Sequence, residues 1–159
     1  MDWSAEFFTL RDGVDCPMCE NVTKVDTGFG VSFLRGRVAN AFLQRAAIQR
    51  GYTVVVWAGR HVSEPTQLTN DEASAYWADV LDAGRAVESV FRPVKMNYET
   101  LGNTLPHLHT HVLPRYERDP RPGKPFPFPD ADQPRFPEEE FQQAVSRLED
   151  VVRENANRS

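Results

Sequence analysis

The stretch "PHLHTHVLPRY", Pro106 to Tyr116, holds three of the chain's four histidines at alternate positions, His107, His109 and His111. Alternate residues of an extended strand project to one face. The spacing therefore predicts three imidazoles on one side of a strand, with Leu108, Thr110 and Val112 on the other. That layout suits metal binding by all three, or nucleophilic catalysis by a central imidazole assisted by its neighbours. It also suits a half-exposed strand whose histidines are merely polar. The two cysteines form a second group, "CPMC", Cys16 to Cys19. A C-x-x-C pair can chelate one zinc but needs two further ligands to close a tetrahedral site. A redox pair or two inert thiols are the other readings of such spacing.

The elements that must position these groups are partly legible. "GYTVVVW", Gly51 to Trp57, is apolar, β-branched and opened by glycine, which predicts a strand. "VKMNYETLGNTLPHLHTHVLPRY" reads as strand, turn, strand, with Gly102 and Asn103 supplying the turn chemistry and Pro106 and Pro114 bracketing a strand from His107 to Leu113. Thr69 and Glu72 form a capping box. It starts a helix whose apolar stripe is Ala73, Tyr76, Trp77, Val80, Gly84, Val87 and Phe91. Charged residues on its other face are expected in solvent. A last helix, about Glu138 to Asn155, opens at Pro137 and presents Phe141, Ala144, Val145, Leu148 and Val152. "GFGVSFLRGRVANAFL" is strand or helix by period alone. Hairpins without βαβ alternation predict an α+β fold around an antiparallel sheet.

With 159 residues the chain is expected to form one domain, long enough to bury a substantial core. Net charge is −5 and the sequence pI about 5.4, which argues against a broad nucleic-acid-binding face. It leaves room for a small basic pocket that takes a phosphorylated ligand. No stretch reaches 18 apolar residues, so no membrane span is expected, and "MDWSAEFFTL" does not read as a signal peptide. A cytoplasmic, reducing location follows as the expectation. Asp119 to Pro137 holds seven of the twelve prolines and should be an irregular, semi-rigid arm lying over a body. No Walker A loop, GxGxxG or Ser-His-Asp set appears.

"HLHTHVLPR" resembles the His-φ-His-φ-His-φ-φ signature of the histidine triad (HIT) family, with Thr110 in place of the second apolar residue. "GYTVVVWAGRHVSEPTQLTNDE" is similar to the family's strand, basic turn, histidine and capped helix, and "LGNTLPHLHTHVLPRY" to its active-site hairpin. The likeness spans about residues 14 to 118, and within the family it is to the dinucleoside polyphosphate hydrolase branch. It implies a single HIT-like domain over 1–159: a five-stranded antiparallel sheet with flanking helices, usually in a homodimer. It also implies hydrolysis or transfer of nucleoside monophosphates from adenosine polyphosphates or phosphoramidates through a covalent nucleotidyl-histidine. A nucleotide-binding module without significant turnover is the alternative. The implied nucleophile is His109, its far nitrogen held by a backbone carbonyl such as that of His107. His111 would hold phosphate oxygens and act as general acid.

Further positions follow from the same resemblance. Asn103 matches a phosphate- or leaving-group-contacting side chain, Leu105 offers a backbone amide, and Gln44 stands where the family has a ribose-binding Asn or Asp. Tyr52 replaces a histidine common in the family. Arg115 is either a balance for polyphosphate charge or an exposed strand-end arginine. Phe33, Leu34, Phe42 and Leu43 are candidate base contacts or ordinary core. Some family members carry a structural zinc, and the matching positions here are Cys16, Cys19, His61 and His107. A divalent cation accompanying a polyphosphate substrate is the other implied cofactor.

Overall fold

The protein's structure is a computed structural model that describes residues 2–129 and 132–157. Five strands, β1 (Gly30–Arg35), β2 (Ala39–Gln44), β3 (Thr53–Trp57), β4 (Lys95–Glu99) and β5 (His109–Arg115), pair antiparallel in the order β1-β2-β3-β5-β4. The periodicity of residues 28–43 left strand and helix open. The structure resolves it into a hairpin of two strands with a bulge between Ser32 and Leu34. Two short helices, α1 (Ala5–Arg11) and α2 (Pro17–Asn21), precede the sheet. Sequence periodicity did not announce them, because neither buries a residue of its own.

The long helix α3 (Asn70–Phe91) begins at the expected capping box: Thr69 Oγ1 accepts from Glu72 N at 3.3 Å, and the Glu72 carboxylate accepts from Thr69 N at 2.8 Å. The last helix, α4 (Glu138–Ala156), packs on α3 and β1. Its acidic first turn meets Arg45, whose guanidinium bridges Asp26 at 2.6 Å and Glu138 at 2.5 Å beneath the Phe141 ring. Carboxylates favour a helix N-terminus for the same electrostatic reason. No helix of the described residues is long and apolar enough to cross a membrane.

Strand β3 is buried along its whole length because both faces are covered. Val55 and Trp57 join the core under α3 and α4, while Val54 and Val56 join a second cluster with Phe42, Tyr52, Leu113 and Phe126. The histidine strand divides the same way. Leu108 and Val112 enter the helix-side core, and Thr110 Oγ1 pairs with Tyr76 Oη and Thr100 Oγ1, each at 2.8 Å. The apolar site that the motif would place at residue 110 is thus a small buried hydrogen-bond network.

Three expectations need correcting here. The histidine strand is His109–Arg115, not His107–Leu113, and it passes through Pro114. Pairing with β3 ends at Thr53 and Val112, so the missing N–H of Pro114 faces no strand. Gln49 Nε2 caps the Pro114 carbonyl at 2.9 Å on that side. Trp77, expected in the apolar stripe of α3, is 40% exposed. Asp79 on the same helix, expected in solvent, is buried at 2% exposure. Its carboxylate accepts from the backbone amides of Arg37, Val38 and Ala39 at 3.0, 2.8 and 2.9 Å, closing the β1–β2 turn. A Cβ at Gly36 would sit 2.3 Å from Asp79 Cγ, so only glycine lets the turn come this close. Asp79→Asn keeps the volume and weakens the three charge-assisted bonds. It should cost about 2 kcal/mol in urea denaturation, and a loss under about 0.5 kcal/mol would show that the turn closes without it.

Candidate active site and metal centre

His109 is 6% exposed and sits on β5 opposite Val56 of β3, with His111 opposite Val54. Their ring centroids are 4.8 Å apart. His109 Nδ1 donates to the His107 carbonyl at 2.6 Å. A carbonyl only accepts, so this bond fixes the proton on Nδ1 and leaves the Nε2 lone pair available. Nε2 has no protein partner among the described residues. Burial lowers the His109 pKa against the opposing effect of that hydrogen bond, which keeps the imidazole neutral. Burial, with His109 alongside, lowers His111 to about 4.

Both rings line a cavity of about 640 Å³. Val54, Val56 and Phe42 form its apolar floor. Residues 101–105 of the β4–β5 connection form one wall, with Gly102 in the left-handed region at φ +76. Asn103 and Leu105 belong to that wall, and Gln44 also lines the cavity, its Nε2 donating to the Phe42 carbonyl at 3.1 Å. Of the four candidate base contacts, Phe42 alone reaches the cavity; Phe33, Leu34 and Leu43 are in the helix-side core.

Other lining residues were not singled out from the sequence. Met18 and Val22 arrive from the N-terminal segment, and Phe29 stands at the rim, 78% exposed, between Gly28 and Gly30. An aromatic flanked by glycines was the available signal for a loop-tip ring. Tyr52 Oη meets His111 Nδ1 at 2.7 Å, and Phe128 of the proline-rich arm lies 5.3 Å from the His111 ring.

Arg115 fits neither of its expected roles. It is buried, 6% exposed, and faces the arm, not the cavity. Its guanidinium donates to the Asp119 carboxylate, to the carbonyls of Arg121 and Lys124 and to Asn97. That clamp turns the chain back over the sheet, so Phe126 is buried beside Arg115 and Phe128 closes one side of the cavity. Asp130 and Ala131 of the arm lie outside the described residues. Deleting Pro122 to Pro129 removes this wall while β5 still holds His109. Steady-state kinetics should show KM rising about tenfold with kcat within about threefold. Loss through kcat alone, equal for every substrate, would count against the arm as a binding wall.

Cys16, Cys19, His61 and His107 form a cluster whose ligand atoms all lie within 4.8 Å of one another. Cys16 Sγ is 3.5 Å and Cys19 Sγ 3.4 Å from His107 Nδ1, and Cys19 Sγ is 3.4 Å from His61 Nδ1. Around a tetrahedral zinc, with Zn–S about 2.3 Å and Zn–N about 2.0–2.1 Å, adjacent S and N ligands fall roughly 3.5 Å apart. The far nitrogens are held by carbonyls, His61 Nε2 by Arg11 at 3.0 Å and His107 Nε2 by Trp57 at 2.9 Å. Each bond puts the proton on Nε2 and turns the Nδ1 lone pair toward the thiols, the usual support of a metal-bound imidazole. Burial and the neighbouring Cys16 raise the Cys19 thiol to about 11, so its thiolate needs a cation to form. His107 thus differs from its two companions: it precedes β5, faces this cluster and lends His109 only its carbonyl.

A buried imidazole with an open Nε2 beside a second imidazole, on the fifth strand of this sheet, defines a histidine triad protein. The chain belongs to the HIT domain family, whose model matches residues 33–118. "Protein hit" of Bacillus subtilis is 30% identical over 81 residues, covering 48% of this chain and 55% of that protein. "AP-4-A phosphorylase" of Mycobacterium tuberculosis is 34% identical over 96 residues, covering 57% and 49%. The chain therefore spans about half the length of the curated relatives it matches. Among solved structures, a histidine triad protein of Bradyrhizobium japonicum superposes with a TM-score of 0.70 at 18% identity, covering 79% of this chain and 92% of that one. A Zn-bound histidine triad family protein of Mycobacterium smegmatis gives 0.65 at 18% identity, covering 91% and 98%. These two likenesses establish the fold.

Proposed function

We propose that the protein is a nucleotide hydrolase or nucleotidyl transferase that cleaves at the α-phosphate of an adenosine polyphosphate or phosphoramidate. The supporting observation is the His109 imidazole, neutral, held at Nδ1 by the His107 carbonyl and open at Nε2 toward the cavity. Nε2 attacks the α-phosphorus, the leaving group departs with the electron pair of the broken bond, and a nucleotidyl-histidine remains. An acceptor, water or phosphate, then takes the nucleotidyl group and returns the electron pair to Nε2. The likeness to a mycobacterial AP-4-A phosphorylase favours phosphate as one acceptor to test.

The cavity suits such a ligand. Phe42 in its floor and Phe29 at its rim offer apolar faces to a base, Gln44 offers an amide to the ribose, and Asn103 and Leu105 stand by the phosphates. Among the described residues no lysine or arginine lines it, so a polyphosphate has to bring a divalent cation to balance its charge. Zinc in the four-residue cluster is a structural part of this reading. It uses both cysteines and leaves His109 and His111 for chemistry. Free thiols as ligands agree with a reducing, cytoplasmic setting.

A homodimer joined along β4 completes the proposal. This strand is one edge of the sheet, and Tyr98 on it, Val94 just before it and Trp77 and Leu81 on α3 are exposed apolar residues. Light scattering at twice the chain mass is the expected result. The activity test is incubation with diadenosine polyphosphates, nucleotide phosphoramidates and ADP-sugars, with and without Mg²⁺ and phosphate, followed by chromatography. Release of AMP or ADP is expected. Tight AMP binding by calorimetry without turnover of any substrate would instead identify a binding module.

A further inference from the structure

We infer that Tyr52 is a positioning residue that holds His111 as a neutral Nε2–H donor, and that the site thereby selects anhydride-linked leaving groups over amine leaving groups. The inference rests on the proposed nucleotidyl chemistry and narrows its substrate class.

The Tyr52 hydroxyl is 2.7 Å from His111 Nδ1, and His111 is its hydrogen-bond partner among the described residues. The bond has two possible directions. If Nδ1–H donated, the buried phenol would keep an unpaired O–H, and the Nε2 lone pair of His111 would face a phosphate anion. Both arrangements are unfavourable. With Tyr52 donating, the phenol is satisfied and Nε2–H points at the substrate. Tyr52 itself does not ionise near neutral pH, because burial and the Glu99 carboxylate raise its pKa. The groups packed directly on the His111 ring offer an imidazolium no stabilisation. Tyr52 packs on it from just before β3, His109 is the next imidazole on β5, and Phe128 covers it from the arm. Glu99 of β4 is its cross-strand neighbour, yet burial prevails and the ring stays neutral.

Two leaving groups place different demands on such a donor. In an anhydride, His109 Nε2 forms a bond to the α-phosphorus and the Pα–O bond breaks. The electron pair leaves with oxygen as a phosphate or polyphosphate oxyanion. No proton need move, and the His111 Nε2–H bond to that oxygen suffices. In a phosphoramidate the Pα–N bond breaks, and the pair on nitrogen must gain a proton for the amine to depart. Neutral imidazole and phenol are both too weakly acidic to supply it. A missing general acid is worth roughly 10²–10⁴ in rate.

The test uses the full chain with Mg²⁺, comparing diadenosine tetraphosphate with an adenosine 5′-phosphoramidate of a primary amine. Wild type should favour the anhydride by about 10²-fold or more in kcat/KM. Tyr52→Phe should lower kcat on the anhydride about tenfold with KM within about threefold. Tyr52→His, whose ring can take and pass on a second proton, should raise kcat/KM on the amidate about tenfold or more. Histidine ¹⁵N–¹H correlation spectra should show His111 protonated at Nε2 in wild type and mixed in Tyr52→Phe, a readout independent of turnover. A wild type that turns over both substrates within about tenfold, or His111 protonated at Nδ1, would overturn the inference. Turnover of neither substrate would overturn the nucleotidyl reading itself, and the inference with it.

Discussion

His109→Ala should abolish nucleotide turnover while leaving the protein folded. The ring sits on the cavity side of β5, and its deletion opens space into an existing cavity, so the core under α3 and α4 is untouched. The expected loss is on the order of 10⁴–10⁶ in kcat, as for other deleted nucleophiles. His111→Ala should cost less, roughly 10²–10³, because it removes a hydrogen bond to the leaving group and not the bond-forming nitrogen. Rapid quench of wild type should trap a nucleotidyl adduct, and peptide mapping should locate it on His109. Residual His109→Ala activity above about a tenth of wild type would remove this residue as the nucleophile.

The metal centre should dominate stability. Cys16 caps α2 and Cys19 lies in its first turn, while His61 follows β3 and His107 precedes β5, the two neighbouring strands of the sheet. The cluster therefore ties a weakly packed N-terminal segment to the start of the histidine strand. Elemental analysis should find about one zinc per chain. If native protein holds zinc about 1,000-fold below its free concentration in Kd, removal costs about 4 kcal/mol. At roughly 2–4 °C per kcal/mol for a chain of this size, Cys16→Ser with Cys19→Ser should lower Tm by roughly 10 °C. The same change should reach chemistry less strongly, through the His107 carbonyl that orients His109. Metal-free protein of full stability, with both thiols freely titratable in the native state, would dismiss the site.

Local rules determined a large part of this protein. Two-residue periodicity separated Leu108, Thr110 and Val112 from His109 and His111. Covalent geometry alternates side chains whatever the surroundings, so that division was legible before any contact was known. The Thr69–Glu72 box and the stripe of α4 were legible for the same reason, since capping and helical spacing act within a turn or two. The spacing of the C-x-x-C pair announced two metal ligands, but its two further partners were legible only through the resemblance to zinc-carrying family members, since a tetrahedral site does not name its remaining ligands.

Tertiary structure decided what depends on where distant segments meet. The side chain of Arg115 looked the same as a polyphosphate ligand or a surface residue; the path of the arm made it a buried clamp. Asp79 reads as one charge among several on a helix, and only the β1–β2 turn arriving above it turns its carboxylate into a cap for three amides. His107 has the same spacing as its companions, but it lies before the paired strand and faces the cysteines, at a separation of 91 residues from Cys16. The partnership of Tyr52 with His111 likewise follows from the β3–β5 register, in which Thr53 pairs with Val112 and Val54 with His111. Register is a property of the assembled sheet: a slip of one residue would exchange the faces of every side chain on the strand, and no local pattern in either segment states which partner it will meet.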